Sequence, residues 1–168
     1  MNQSWARPEI KIEKTMSEKF WDMIGYSFFI GSIIFIIYAW GKLPNEVPAH
    51  FNMAGEVDRW GSKYELLILP IIGVFSTMMM QALEKFPQAH NYPKRFNESN
   101  AEAFYLNSRQ LLNVTKNLML IIFALINLDI VLIALEWGGG FTKWVIPLSL
   151  VGFTVPIVSA LMKRRHIK

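Results

Sequence analysis

Three ionisable residues have side chains that could support metal or hydrolytic chemistry. His50 and Asp58 lie eight positions apart in a polar segment, and Asp129 lies within a long apolar stretch. One imidazole and two carboxylates suit zinc or another divalent ion, and an open coordination position would make such a metal catalytic. An ionisable residue inside a membrane-spanning stretch is costly and is by default a candidate functional residue. One prediction is therefore a divalent metal site at His50, Asp58 and Asp129, in a membrane-embedded metal-dependent hydrolase centred on His50.

A plainer interpretation of the same residues needs no metal and no other cofactor. The sequence has no H-E-x-x-H or comparable pair, which is the usual mark of a metalloprotease. It also has no cysteine, which excludes thiolate ligands and nucleophiles. In this interpretation His50 hydrogen-bonds Asp58 or a carbonyl of its loop, and Asp129 pairs with a polar neighbour. The candidate partners of Asp129 are Lys63, Lys143 and a polar helix group such as Asn127.

Long apolar segments must position these residues. The chain has 168 residues, of which 52% are hydrophobic and only 18% are charged, whereas soluble domains carry about 25% charged residues. Four segments reach the roughly 20 residues that a helix needs to cross a bilayer, and none alternates like a membrane barrel strand. We therefore predict an all-α membrane protein with four transmembrane helices in a single domain, residues 1–168. The predicted helices cover about residues 20–41, 63–84, 99–136 (including a cytoplasmic extension) and 143–163.

The distribution of Lys and Arg predicts the orientation. Thirteen of the 17 basic residues lie before helix 1, between helices 2 and 3, or after helix 4, and the other four lie in the two remaining loops. Because basic residues favour the cytoplasmic side, we predict cytoplasmic termini and an extracytoplasmic segment 43–63 in a cell membrane, such as a bacterial inner membrane. Contact with anionic lipid explains the net charge of +4 better than nucleic acid does.

Segment 43–63, LPNEVPAHFNMAGEVDRWGSK, has clear turn and cap chemistry. Its two prolines favour extended backbone, and the M-A-G-E around Gly55 predicts a tight turn between two short extended pieces. The capping box S-K-Y-E at Ser62 predicts the start of helix 2, and a second box, S-x-x-E, predicts that helix 3 starts near Ser99. We therefore predict a small turn-closed cap between helices 1 and 2, in which Asn52, Gly55 and Lys63 shape the loop.

The same segment resembles the membrane domain of unknown function found in SdpI-like immunity proteins. Its residues fit the pattern L-P-x-x-[IV]-P-x-H-[FW]-[ND]-x-x-G-x-x-[DN]-x-[WY]-[GS]-[SN]-[KR] without a gap. The matching residues are Leu43, Pro44, Val47, Pro48, His50, Phe51, Asn52, Gly55, Asp58, Trp60, Gly61, Ser62 and Lys63. A second set of residues, in the predicted cytoplasmic loop and the start of helix 3, resembles a looser pattern of the same family. These residues are Asn91, Tyr92, Pro93, Asn100, Tyr105 and Arg109.

The resemblance implies partners as well as a place in the membrane. Named members of that family confer immunity to a secreted toxin peptide, and one type also recruits a transcriptional repressor to the membrane. The implied partners are the lipid bilayer, a peptide or toxin outside the cell and a cytoplasmic regulator, and the oligomeric state is open.

Three functions are therefore carried forward from the sequence. The first is a binding protein of the immunity or sensor type, whose segment 43–63 and helix mouth engage a peptide or lipid-like ligand. The second is the hydrolase centred on His50, and the third is a small transporter component with Asp129 in an ion path. The candidate ligand-binding or structural residues are His50, Asn52, Gly55, Asp58, Trp60, Lys63 and Asp129.

Overall fold

Four long helices make up most of the protein. The computed structural model describes residues 7–168, with α1 at Met16–Ala39, α2 at Ile68–Lys85, α3 at Ala101–Ala134 and α4 at Thr142–His166. Each helix, together with the 3-10 turns that lead into α2 and α3, is long and apolar enough to cross a membrane. The predicted fold class is confirmed, and the chain is a multi-pass membrane protein.

The central helix of the bundle is α3, which packs against α1, α2 and α4. Near the starts of α1 and α3, Glu18 contacts Arg109, and near their ends Ala39 shares a hydrophobic core with Val131. These two helices therefore run in the same direction, and α2 and α4 run antiparallel to α3.

A β-hairpin forms the cap between α1 and α2. Its strands, β1 (Glu46–Phe51) and β2 (Val57–Ser62), pair antiparallel, and the register is irregular around His50. The cap predicted from the turn chemistry is thus a two-stranded sheet. It packs on the ends of α1 and α3 through a buried apolar core, whose residues are Ile36, Ala39, Leu43, Val47, Leu66, Ile130 and Val131.

The two predicted helix caps have different outcomes. Ser62 is the N-cap of the 3-10 turn Lys63–Leu67, which continues into α2, and its hydroxyl oxygen accepts a hydrogen bond from the Tyr64 N–H. The predicted box at Ser99 is wrong, because Asn97 caps the 3-10 turn before α3. Asn97 Oδ1 accepts the Ser99 N–H at 2.9 Å, so a side chain two residues earlier satisfies the free donors.

The bundle has two chemically different ends. The hairpin end carries the β-hairpin and the turn between α3 and α4. The terminal end carries residues 7–15, the end of α4 and the connection between α2 and α3. Residues 7–15, here called the N-terminal segment, form neither helix nor strand and cross the terminal end. Arg109 donates hydrogen bonds to the carbonyl oxygens of Ile12 and Glu13, which fastens this segment to α3.

Candidate functional site: the cleft at the hairpin end

The tip of the hairpin is shaped by Asn52. Its Oδ1 accepts hydrogen bonds from the N–H groups of Ala54, at 2.9 Å, and Glu56, at 3.0 Å. Gly55 follows in the left-handed region with φ 76°, which costs a glycine least. A Cβ at Gly55 would also lie 2.2 Å from Lys143 Cα. A glycine is therefore required where the hairpin tip meets the start of α4.

His50 and Asp58 meet across the hairpin. His50 Nδ1 lies 2.6 Å from Asp58 Oδ1, and the two side chains are 63% and 41% exposed. The hydrogen bond between them, one of the two interpretations of these residues, is therefore present. Exposed pairs of this kind contribute about 0–1 kcal/mol to stability, so the contact orients the two side chains more than it stabilises the fold.

Trp60 and Lys63 lie on the second strand and at its end. Trp60 is opposite Pro48 in the hairpin and remains half-exposed. Lys63 donates its backbone N–H to the Asn45 carbonyl at 3.0 Å, and its ammonium lies over the Trp40 ring, 5.4 Å from the centroid. Lys63 thus joins the end of the hairpin to the end of α1, and Trp60 takes part in the pairing of the two strands.

Asp129 caps α4. Its side chain is fully buried, and Oδ1 accepts the N–H groups of Gly140, at 2.7 Å, and Phe141, at 3.2 Å. Oδ2 accepts both the N–H and the hydroxyl of Thr142, at 2.8 Å and 2.5 Å. Both carboxylate oxygens are therefore occupied by the start of α4. Asp129 pairs with a polar helix group, as one alternative had it, but this group is Thr142 rather than Asn127, and neither Lys63 nor Lys143 is its partner.

The three residues predicted as metal ligands do not converge. In residues 7–168, no three His, Asp or Glu side chains are grouped so that they could hold a metal ion. His50 and Asp58 form one exposed pair on the hairpin, whereas Asp129 is committed to the α3–α4 turn. The hairpin site therefore has two adjacent candidate ligands and lacks the third that the sequence prediction required.

A cleft opens beneath the hairpin, between it and three of the helices. Its volume is about 370 Å³, which lies at the lower end of the range of small-molecule pockets. The walls are mainly apolar side chains of β1, α2, α3 and α4, and the charged side chains of Arg59 and Glu65 lie at its edge. The apolar lining residues are Pro48, Ala49, Phe51, Leu66, Ile68, Leu69, Ile126, Ile130 and Ile146.

Asn127 is the polar residue inside this cleft that lacks partners. It lines the cleft from α3 and is fully buried. Neither its Oδ1 nor its Nδ2 has a hydrogen-bond partner among the described residues. A buried amide without partners costs about 1–3 kcal/mol, so Asn127 lowers the stability of the fold at this point.

An ion pair borders the cleft. The guanidinium of Arg59 donates to Glu65 at 2.8 Å and 3.2 Å and to the Ala49 carbonyl at 3.4 Å. The hydrogen bond to the Glu65 carboxylate raises the pKa of Arg59. The pair joins β2 to the start of α2, so it holds the hairpin over the cleft.

The predicted cytoplasmic pattern lies at the terminal end and anchors the connection between α2 and α3. Tyr92 stacks on Phe96 with ring centroids 4.6 Å apart, and the Tyr105 ring lies 5.4 Å away. The Tyr92 hydroxyl donates to the Pro87 carbonyl at 2.7 Å, and burial raises the pKa of Tyr92 to about 12. Tyr92 is therefore a neutral, half-buried anchor of this connection.

The other members of the pattern also make contacts within the fold. The backbone carbonyls of Asn91 and Pro93 accept hydrogen bonds from Arg164 and from the Phe96 N–H. Asn100 Nδ2 donates to the Arg95 carbonyl at 3.0 Å. Arg109 is buried and grips Glu18 with two hydrogen bonds of 2.8 Å and 3.0 Å.

Sequence reasoning missed a buried charge cluster at the terminal end. Lys116 is fully buried on α3, with its ammonium 3.0 Å from Asp22 on α1 and 2.8 Å from Glu84 on α2. Asn113 and Asn117 also donate to Asp22, at 2.8 Å and 2.9 Å. The available signal was the spacing of Arg109, Asn113, Lys116 and Asn117, which puts four polar side chains on one face of α3.

Comparisons with known proteins match part of the chain to a domain of unknown function and to an uncharacterized relative. Residues 28–74 match a domain of unknown function, DUF1648, and this stretch covers the second half of α1, the hairpin and the start of α2. An uncharacterized protein of Archaeoglobus fulgidus is 34% identical over 82 residues, which cover 44% of this chain. The chain spans 40% of the length of that relative. No solved structure matches the chain.

The fold thus defines a multi-pass membrane protein with a hairpin cap. Within that class, the chain is similar to proteins that carry DUF1648, and the similarity falls on the hairpin and the helices beside it.

Proposed function

We propose that the protein is a membrane binding protein of the immunity or sensor type, whose cleft beneath the hairpin engages a peptide or lipid-like ligand outside the cell. The orientation follows from the excess of basic residues at the terminal end, thirteen against four. The resemblance of residues 43–63 to SdpI-like immunity proteins supports a peptide ligand. The proposal needs no metal and no cofactor.

The observation that carries the proposal is the unpartnered amide of Asn127 in an apolar cleft. A side-chain amide offers one acceptor and two donors, and a backbone amide of an extended peptide offers the complementary pair. The apolar walls would take up the side chains of such a peptide, since ligand pockets combine apolar walls with a few placed polar groups. We therefore favour a peptide over a plain hydrocarbon chain.

Replacing Asn127 by leucine should make the unliganded protein more stable. The two side chains have similar shapes, and the change removes a buried amide without partners, so the free energy of unfolding should rise by about 1–3 kcal/mol. Denaturation of the purified protein in mixed micelles measures this difference. Asn107→Leu, the same change on the same helix, is the matched control and should destabilise, because Asn107 donates to the Ala160 carbonyl at 3.2 Å.

Binding of a capped apolar peptide, acetyl-Leu-Val-Leu-amide, tests the proposed function. We expect the purified protein to bind it in a calorimeter, and Asn127→Leu to weaken binding about 10- to 100-fold, since one or two hydrogen bonds are lost. Dodecanol, which has no amide, should bind Asn127→Leu and the unaltered protein with the same affinity. Equal peptide affinity in both proteins, or no binding to either, would contradict the proposal.

A further inference from the structure

The charge cluster at the terminal end joins the N-terminal segment to three of the long helices. Three of its members, Asp22, Glu84 and Lys116, lie on the long helices α1, α2 and α3. The fourth, Lys14, belongs to the N-terminal segment, where its ammonium lies 2.5 Å from Asp22 Oδ2 and 3.7 Å from Glu84 Oε2. The side chain of Lys14 is 41% exposed, whereas that of Glu84 is 4% exposed. One counter-cation of the buried Glu84 and the part-buried Asp22 is therefore held by a segment outside the four helices.

The charges of the cluster balance only while Lys14 is in place. Two carboxylates face two ammonium groups, and the other nearby pair, Arg109 and Glu18, is neutral by itself. If Lys14 left, Lys116 alone would face both carboxylates, and one negative charge would be buried without compensation. A buried group in that position usually becomes neutral, because the charged form is too costly.

The free oxygens suit a proton better than a metal ion. Asp22 Oδ1 already faces three donors, from Lys116, Asn113 and Asn117. Without Lys14, two oxygens are left, Asp22 Oδ2 and Glu84 Oε2, and calcium or magnesium needs about six. A cavity of about 500 Å³ is lined by Glu84, Lys14 and the N-terminal segment, and it connects Glu84 with the surface.

We propose that Asp22 and Glu84 form a proton-binding site whose resting counter-cation is the Lys14 ammonium. Where the Lys14 ammonium is absent, Glu84 Oε2 takes one proton from solvent through the cavity. The Lys14 ammonium and that proton are therefore alternative ways to neutralise the same carboxylate.

Other charged groups near Glu84 do not replace Lys14 in this role. Arg109 is held by Glu18 and by two backbone carbonyls. His90 lies with Nε2 3.0 Å from the Leu83 carbonyl and Nδ1 2.7 Å from Ser108 Oγ, and burial lowers the pKa of His90. Lys11 lies 3.5 Å from the exposed Glu13, and Lys85 is exposed.

Lys14→Gln removes the counter-cation without removing the N-terminal segment, and it tests the proposal. In infrared spectra of the full-length protein at neutral pH, we expect Lys14→Gln to show the carbonyl stretch of about one protonated carboxyl group per chain beyond the unaltered protein. The double variant Lys14→Gln, Glu84→Gln should lose this band. Lys11→Gln, which changes the exposed lysine on the same segment, should resemble the unaltered protein.

Each outcome of this experiment decides the proposal. A Lys14→Gln spectrum without a protonated carboxyl, or a band that persists when Glu84 is glutamine, would overturn the proposal. Loss of the band on addition of sodium would also overturn it, because it would show that the carboxylates bind a metal ion instead of a proton. If Lys14→Gln does not fold at neutral pH, the free-energy cost of protonating Glu84 is the expected cause, and adding Glu84→Gln should restore folding. Failure of Glu84→Gln to restore it would equally overturn the proposal.

Discussion

Replacing Lys116 with methionine lowers the free energy of unfolding by about 3–5 kcal/mol, because removal of one partner leaves buried charge uncompensated. Lys116 is fully buried and is the one ammonium of the long helices that contacts both Asp22 and Glu84 in the described chain. Methionine fills a similar volume, so the loss reflects charge more than packing. The expected effect is large enough to remove much of the stability of a typical domain.

Denaturation in mixed micelles, followed by circular dichroism, measures the effect of Lys116→Met. Lys85→Met is the matched control, since Lys85 is exposed and directly follows Glu84 in the chain. Its effect should stay within about 0.5 kcal/mol, as for surface substitutions in general. If Lys116→Met were as stable as the Lys85→Met control, the Lys116 ammonium would not stabilise the charges of Asp22 and Glu84, which would contradict this account.

Replacing Asp129 with alanine should lower the free energy of unfolding by about 3–5 kcal/mol. The substitution leaves the N–H groups of Gly140, Phe141 and Thr142 and the Thr142 hydroxyl without their acceptor, and each unsatisfied buried group costs about 1–3 kcal/mol, less where water can enter. It should also loosen the start of α4, which forms one wall of the cleft. Hydrogen exchange of the amides at residues 140–142 should therefore quicken in Asp129→Ala.

Asp58→Ala is the control for Asp129→Ala, because the two aspartates were predicted to share one metal site. Asp58 contacts His50 on the exposed hairpin, so its removal should cost less than about 1 kcal/mol. Equal losses for the two variants would mean that the carboxylate of Asp129 does not support α4 as described.

Apolar length and turn residues were sufficient to predict the framework of this protein. The uncharged runs predict the four helices because a bilayer requires long apolar segments. Pro48 and Gly55 predict extended pieces around a turn, and these pieces pair as β1 and β2. The hydrogen bond between His50 and Asp58 was also within reach, since the two residues flank the same turn.

The roles of Asp129 and Asn127 could not be predicted from local spacing. The partners of Asp129 are eleven to thirteen residues further on, beyond a turn of three glycines with positive φ. Capping motifs are recognised over about three residues, so a side chain that caps a different helix escapes them. The isolation of Asn127 depends on which side chains of other elements surround α3 at that level, which sequence pattern does not encode.

The charge cluster was missed for a different reason. Glu84 and Lys116 lie close to the predicted ends of apolar runs, where charged residues normally face water or lipid head groups. Their burial arises because α1, α2 and the N-terminal segment close around α3 at that level. Only the polar face of α3, from Arg109 to Asn117, indicated beforehand that charges would meet inside the bundle.

Accessibility of single cysteines in intact cells tests the proposed outward cleft most directly. The chain has no cysteine of its own, so Ala49→Cys in the cleft and Lys163→Cys at the terminal end provide one reporter each. We predict that a membrane-impermeant maleimide labels Ala49→Cys in intact cells, that acetyl-Leu-Val-Leu-amide slows this labelling, and that Lys163→Cys reacts only after permeabilisation. Labelling of Lys163→Cys in intact cells while Ala49→Cys stays unlabelled, or labelling of Ala49→Cys that the peptide leaves unchanged, would contradict an outward-facing binding cleft.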